Sequence, residues 1–254
     1  ASLEEHTRAV ETSDQSAHKV RWDNLLDLAG LELGHDDVEA LQAATRAHAG
    51  YAAHSDSTSS QLAISAMFAG MAHTAIGQLK PAEGMLNTSL QYYAKVFSRE
   101  HAESVRALSQ LAQALAAQGR YEESLQMLDE RRRAVNAKPG PDSRLALHRL
   151  LARQLEVALL HGDLEAAGRL IEPTRASLAD VAAERERGPA IIAEARWHQL
   201  SGRPEAAAKV LDAWLMKLSP EQMAQPFVQR ARLTRAEAEI ALGRHDRARP
   251  LMEQ

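Results

Sequence analysis

The chain has no cysteine. That excludes a disulfide framework, a thiolate zinc site and a cysteine nucleophile, and leaves the compartment open. Aromatic residues are only 4%, and the 254 residues include just 13 glycines and 9 prolines. Alanine and leucine, strong helix formers, recur throughout, whereas β-rich chains draw on β-branched and aromatic residues, so the composition argues against an all-β fold. Neither sign of charge dominates: 30 Lys and Arg stand against 34 Asp and Glu, for a net charge of −4. There is thus no global attraction to nucleic acid or to an anionic membrane. Long apolar runs are missing too. The longest weakly polar stretch, Leu62 to Ala72, is interrupted by Ser65 and Gly70 and is too short to span a bilayer, so no membrane insertion is expected. Glu4, Glu5 and His6 sit where a signal peptide would begin. The first residue is Ala1 rather than Met, which reads as a fragment of something larger or a processed form. The expected location is the cytoplasm, or outside it if the fragment follows a membrane segment.

What is present is a repeat. The hexapeptide beginning at Gly77 (GQLKPA) recurs from Gly119 (GRYEES), Gly162 (GDLEAA), Gly202 (GRPEAA) and Gly243 (GRHDRA), with a copy one residue longer from Gly34. Successive glycines fall 43, 42, 43, 40 and 41 residues apart. A helical stretch precedes each glycine and another follows it. Before Gly119, Leu108, Leu111, Ala112 and Leu115 line one face of a 3.6-period helix; after it, Tyr121, Leu125 and Leu128 mark the face of a second. Glycine at a helix end adopts the left-handed conformation without steric cost and reverses the chain. The small residue five places on (Ala82, Ser124, Ala167, Ala207, Ala248) lets the second helix approach the first.

The unit is therefore a helical hairpin with a glycine turn. The longer connections are His54 to Ser60, Ser98 to Glu100, Ala137 to Pro141 and Leu218 to Pro220. Asp142 or Ser143, and Ser219 before Pro220, are expected helix caps. Pro173 is expected to kink or end its helix. The stretch Ala182 to Pro189 reads as either a helical extension or a charged linker, with Pro189 opening the next helix. No composition shift divides the chain, so a single domain of about six hairpins over 1–254 is expected.

At these residues the sequence resembles the tetratricopeptide repeat family. The resemblance rests on the turn glycine, the aromatic Tyr121 two places after Gly119, and small residues at the helix crossings (Gly70, Ala112, Ala195, Ala236). Leu155 departs from the last feature; His245, Pro204, Leu164 and Leu79 stand where the turn aromatic would be. The period of about 42 residues exceeds the usual ~34 and looks like the longer variety of kinesin light chains and of bacterial regulators and kinases. The resemblance implies an all-α, right-handed solenoid of stacked antiparallel hairpins that binds other proteins. A generic helical bundle and another class of helical-hairpin repeat are the alternatives. Each hairpin is too short to bury its own apolar face, which favours stacking.

Catalytic signatures are missing. No HExxH, Gly-rich phosphate loop or GxSxG elbow occurs. His48 and His54 are poorly placed to share a helical face, and His73, His161 and His198 read as packing or capping residues. No metal, cofactor or enzymatic activity is expected. Arg131, Arg132 and Arg133 sit where cations complement a helix C-terminus. Trp22, Trp197 and Trp214 read as core.

In a solenoid the first helix of each hairpin lines a concave groove. Counting back from the turn glycines places Ile64, Met67, Phe68 and Met71 there, then Arg106, Ser109, Gln110 and Gln113, then Arg149, Ala152, Arg153 and Glu156, then Arg196, and last Arg230, Thr234 and Glu237. The N-terminal part is apolar and rich in adaptable methionine. The middle carries arginines, with Arg149 and Arg153 four apart and able to reach one anion, or to pair with Glu156 instead. Some tetratricopeptide proteins hold a C-terminal carboxylate with basic residues at those two positions, but Met67 and Gln110 replace the Lys and Asn that complete that clamp. The expected partner is a protein or peptide with an acidic segment. A ligand-responsive regulatory domain controlling an attached effector and a self-assembly (homo-oligomeric) domain are the alternatives.

Overall fold

The computed structural model describes residues 15–54 and 57–252. Every regular element among them is a helix, and the chain falls into two compact units, one up to Gln118 and one from Gly119. The first unit holds α1 (Gln15–Glu32), α2 (Asp37–Ala53), α3 (Ser59–Ala75), α4 (Leu79–Tyr93) and α5 (Ala102–Ala117). The second holds α6 (Tyr121–Ala137), α7 (Ser143–His161), α8 (Leu164–Ser177), α9 (Glu184–Leu200), α10 (Pro204–Leu215), the short α11 (Pro220–Met223), α12 (Pro226–Ala241) and α13 (His245–Met252). Within each unit, helices that follow one another in the chain pack side by side and stack on the next.

The glycines make the hairpins. The six turn glycines Gly34, Gly77, Gly119, Gly162, Gly202 and Gly243 have φ between 71° and 89°, and no other described residue has a positive φ. At Gly162 (φ 82°, ψ 7°) the chain closes with Gly162 N–H donating to the Leu159 carbonyl at 3.2 Å and Asp163 N–H to the Ala158 carbonyl at 3.0 Å. These bonds satisfy carbonyls that the helix end would leave orphaned. The Asp163 carboxylate then accepts from Ala166 N–H at 2.8 Å and starts α8. One glycine thus ends a helix and its neighbour begins the next.

Small residues let helices meet closely. In the first unit Leu25 and Ala29 of α1 pack with Ala43, Ala44, Ala47 and Tyr51 of α2 and Ala69 of α3. Gly50 lies directly under the Trp22 ring: a Cβ there would stand 2.2 Å from it. Gly70 of α3 meets Leu86 of α4 in the same way. The Tyr51 hydroxyl, buried in this contact, donates to Asp23 at 2.6 Å and ties α2 back to α1. In the second unit α7, α8 and α9 share a core of Leu155, Ala158, Leu159, Ala167, Ile171 and Ala193. The α9, α10 and α12 helices share another around Ile191, Leu211 and Trp214.

Two prolines behave differently from the sequence expectation. The α8 helix runs past Pro173 to Ser177. Pro173 and Arg169, whose carbonyl loses its helical partner to the missing N–H, are both exposed, so water can satisfy that carbonyl. Likewise Pro189 does not open α9, which starts five residues earlier at Glu184. The charged stretch is helix, pinned from outside. Trp214 Nε1–H donates to the Glu184 carboxylate at 2.6 Å, and Arg149 holds Glu186.

Candidate functional site

A hairpin's first helix is covered on most of its circumference. In α5 the residues left partly open are Glu103, Arg106, Gln110 and Gln113, a stripe about one residue wide. Measured back from the turn glycine, the half-open positions are thirteen, nine and six: Ile64, Phe68 and Met71 in α3, Arg106, Gln110 and Gln113 in α5, and Arg149, Arg153 and Glu156 in α7. Adjacent helical residues lie about 100° apart, so the residue ten back cannot share so narrow a stripe with the one nine back. Met67 is 0% and Ser109 5% exposed. Both were expected on the binding face, as were Ala152 and Thr234, and all four are buried. Ala152 and Ile192 are buried at the same offset, while Leu233, its counterpart in α12, is 53% exposed.

On the first unit the open stripe is apolar and aromatic in α3 and polar in α5. The Arg106 guanidinium lies 5.8 Å from the Phe68 ring centroid and 3.6 Å from Glu103. Gln110 and Gln113 are half-buried beside it.

The second unit has the more elaborate electrostatics. Arg149 of α7 donates from Nε and Nη2 to both oxygens of Glu186 at 2.9 and 2.8 Å, a bidentate pair whose side chains are 10% and 21% exposed. Next to Arg149, His148 is wholly buried. Its Nε2–H donates to the Glu186 carbonyl at 2.9 Å and its Nδ1 meets the Ser177 hydroxyl at 2.8 Å. Burial holds this imidazole below its ordinary pKa, although the Glu186 carbonyl bond opposes that. One turn further along α7, Arg153 donates to Glu156 at 2.6 Å. Arg230, from α12, donates to the other oxygen of Glu156 at 3.2 Å across 74 residues of sequence. Burial disfavours the Glu156 carboxylate, but the charges of Arg153, Arg230 and Arg196 win, and its carboxyl ionises below the usual range. Arg196, from α9, is half-buried and makes no ion pair among the described residues.

The structure therefore joins Arg153, Glu156 and Arg230 through ion pairs, leaves Arg196 near enough for its charge to act on Glu156, and assigns Arg149 to a different partner. The sequence reading missed Glu186. Its only signal was its place in the charged run before Pro189, 37 residues from the arginine it binds. It also missed Glu194 and Glu239, which are 6% and 1% exposed. Arg175 reaches Glu194 at 2.5 Å. Arg235 bridges Glu239 and Asp212, the latter at 2.7 Å. The Arg175–Glu194 and Arg235–Asp212 pairs cross helices inside the second unit, while Arg235–Glu239 lies within α12. The three tryptophans lie in or beside the cores; Trp197 Nε1–H donates to the Leu164 carbonyl at 3.1 Å and the Arg203 guanidinium stacks 4.2 Å from its ring. Tyr121 and His161 stack at 4.9 Å. Among the described residues no three His, Asp or Glu side chains converge so as to hold a metal ion, and no helix is long and apolar enough to cross a membrane.

Residues 61–137 match the family model described as tetratricopeptide repeat. No curated protein matches the sequence. Three solved structures illustrate the likeness of fold. The apo form of RapI is 12% identical and superposes with a TM-score of 0.62 over 97% of this chain and 85% of its own. A tetratricopeptide repeat protein from Parabacteroides merdae ATCC 43184 is 16% identical, with a TM-score of 0.57 over 98% and 82%. A Podosopora anserina protein described as a kinesin light chain with nearly identical TPR-like repeats is 21% identical, with a TM-score of 0.53 over 75% and 91%.

Proposed function

We propose that this chain, whose residues 61–137 match the tetratricopeptide repeat model, is an interaction module that holds an acidic peptide segment and serves as scaffold or sensor in a signalling or regulatory protein. Repeats of this kind generally mediate protein–protein interactions. The observation that carries the acidic preference is the cluster on the second unit, where Arg153 and Arg230 both bond the single carboxylate of Glu156 and the charge of Arg196 also favours its ionised form. Guanidinium forks left with unused N–H groups at a surface are suited to carboxylates and phosphates. The stripe of Ile64, Phe68 and Met71 on the first unit suits apolar side chains, since a soft and partly aromatic surface adapts to varied partners. No catalytic role is proposed.

A peptide-display selection on the whole chain tests the reading. Enriched peptides should carry Asp or Glu, and their binding should weaken as salt rises, because the contacts are charged and partly open to solvent. Arg196→Gln combined with Arg230→Gln should remove the acidic preference without unfolding the protein. Phe68→Glu should weaken peptides with bulky apolar residues. A selection that enriches nothing, or peptides indifferent to both changes, refutes the proposal.

A further inference from the structure

We propose that Arg153, Arg196 and Arg230, gathered around Glu156 on the second unit, form a seat for a phosphomonoester dianion. The inference rests on the reading above that this face takes anionic groups, and it names the group. Three observations support it. The first is a charge count. Three guanidiniums around one carboxylate leave two positive charges, while the neighbouring Arg149 is matched by Glu186 in a bidentate pair. A ligand carboxylate would neutralise one of the two. A phosphomonoester carries a charge of about −1.5 to −2 near neutral pH and offers three strong acceptor oxygens, so it neutralises both.

The second is the donor inventory. Glu156 engages Arg153 through Nη1 at 2.6 Å and Arg230 through Nη2 at 3.2 Å. Each guanidinium has five N–H donors in a planar fork; the Arg153 side chain is only 12% exposed, so the donors open to a ligand are chiefly those of Arg230 and the half-buried Arg196. Arg230 is 55% exposed and Arg196 makes no ion pair among the described residues. Glu156 acts as the floor, holding two forks in place before the ligand arrives. Glu237, the exposed acidic residue on α12, is in none of the ion pairs among the described residues of the cluster.

The third is how the site is built. Its residues come from α7, α9 and α12, three helices that pack side by side. Arginines carried by three packed helices are held near one another by the fold, in contrast to a basic run on one exposed helix, whose charges point in successive directions into water.

The test uses the whole chain and three probes, each titrated by calorimetry: N-acetyl-phosphoserine amide, N-acetyl-aspartate amide and inorganic phosphate. The phosphoserine probe should bind at least about tenfold more tightly than the aspartate probe near neutral pH. Its affinity should fall several-fold as pH drops through about 6, where the phosphate takes up a proton; aspartate stays ionised there and its affinity should not fall in step. Arg196→Gln and Arg230→Gln should each weaken the phosphoserine probe by about fivefold or more while leaving the melting curve in place. If phosphoserine outbinds inorganic phosphate, the seat serves a peptide-borne phosphate. If the two bind alike, it serves a free phosphate-bearing ligand. Equal binding of phosphoserine and aspartate, absence of binding, or parental affinity in both variants overturns the seat. Display-selected acidic peptides that bind and depend on Arg196, with no gain on phosphorylation, would sink the seat and leave the interaction module standing. Tight phosphoserine binding with no selected peptide would do the reverse.

Discussion

Three glycines within fifteen residues of the second hairpin should answer one substitution in three ways. Gly77 ends α3 with φ +78°, and a Cβ built on it meets nothing within 4 Å. Gly77→Ala therefore tests backbone conformation alone. The left-handed region costs an L-residue about 1–2 kcal/mol, so the variant should lose about that much. Gly84 lies inside α4, and a Cβ there also meets nothing within 4 Å. Alanine in an open helical position lowers the entropy of the unfolded chain, and Gly84→Ala should gain about 0.5–1 kcal/mol. At Gly70 the new Cβ would stand 2.5 Å from Leu86 Cγ and 3.3 Å from the Ala82 carbonyl oxygen. Leu86 is 0% exposed and has nowhere to retreat, so Gly70→Ala should cost about 1–3 kcal/mol as overpacking. Urea unfolding followed by circular dichroism measures all three in one background. Two companions separate the mechanisms. Gly77→Asn should lose less than Gly77→Ala, because asparagine tolerates the left-handed region better. Leu86→Val should recover part of the Gly70→Ala loss and none of the Gly77→Ala loss. A Gly77→Ala variant as stable as the parent, or a destabilising Gly84→Ala, refutes the reasoning.

Stability should also fall on mild acidification. Burial holds His48, His148 and His198 below the ordinary histidine value of 6.5. The unfolded chain then binds more protons than the folded one below about 6.5, so stability is full above that pH and declines as pH falls through it. Urea midpoints should be level from about pH 8 to 7 and drop towards 5; a level or rising midpoint below 6.5 contradicts this. Arg149→Ala should destabilise by about 3 kcal/mol, because Glu186 loses a bidentate partner in a mostly buried place. The double change with Glu186→Ala should recover much of that loss, and a parental melting curve for Arg149→Ala alone would show the pair to be idle.

The turns were legible because they depend on one residue. Only glycine adopts the left-handed conformation cheaply, and six copies at a near-constant period leave little else to conclude. The start of α9 was not legible, because its partners are remote: Trp214 and Arg149 grip Glu184 and Glu186 from 30 and 37 residues away. Pro189, the strongest local signal in that stretch, pointed to the wrong boundary. The half-open stripe of α3, α5 and α7 was legible to within one residue in a helical turn. Counting back from the glycine found the half-open positions and also took in Met67 and Ser109, since periodicity alone does not say how wide a stripe the packing leaves uncovered. The pairing of Arg153 with Glu156 was foreseeable from their spacing of three. The arrival of Arg230 from α12 was not, since it depends on how three helices pack.

The narrow stripe gives the repeat a division of labour. At seven, ten and fourteen residues before the turn glycine, α3 carries Gly70, Met67 and Ala63, all buried, and changes there strain the hairpin. At thirteen, nine and six it carries Ile64, Phe68 and Met71, which the packing leaves half-free. If these positions bind a partner as proposed, natural variation can rewrite what a hairpin recognises, three letters at a time, while the framework holds. In α7 that freedom has been surrendered. Arg149, Arg153 and Glu156 occupy the same three letters and are locked by ion pairs to one another, to the start of α9 and to α12. A hairpin of the α3 kind can acquire a new specificity by single substitutions. One of the α7 kind must change several residues in concert, and its specificity should be the slower of the two to drift.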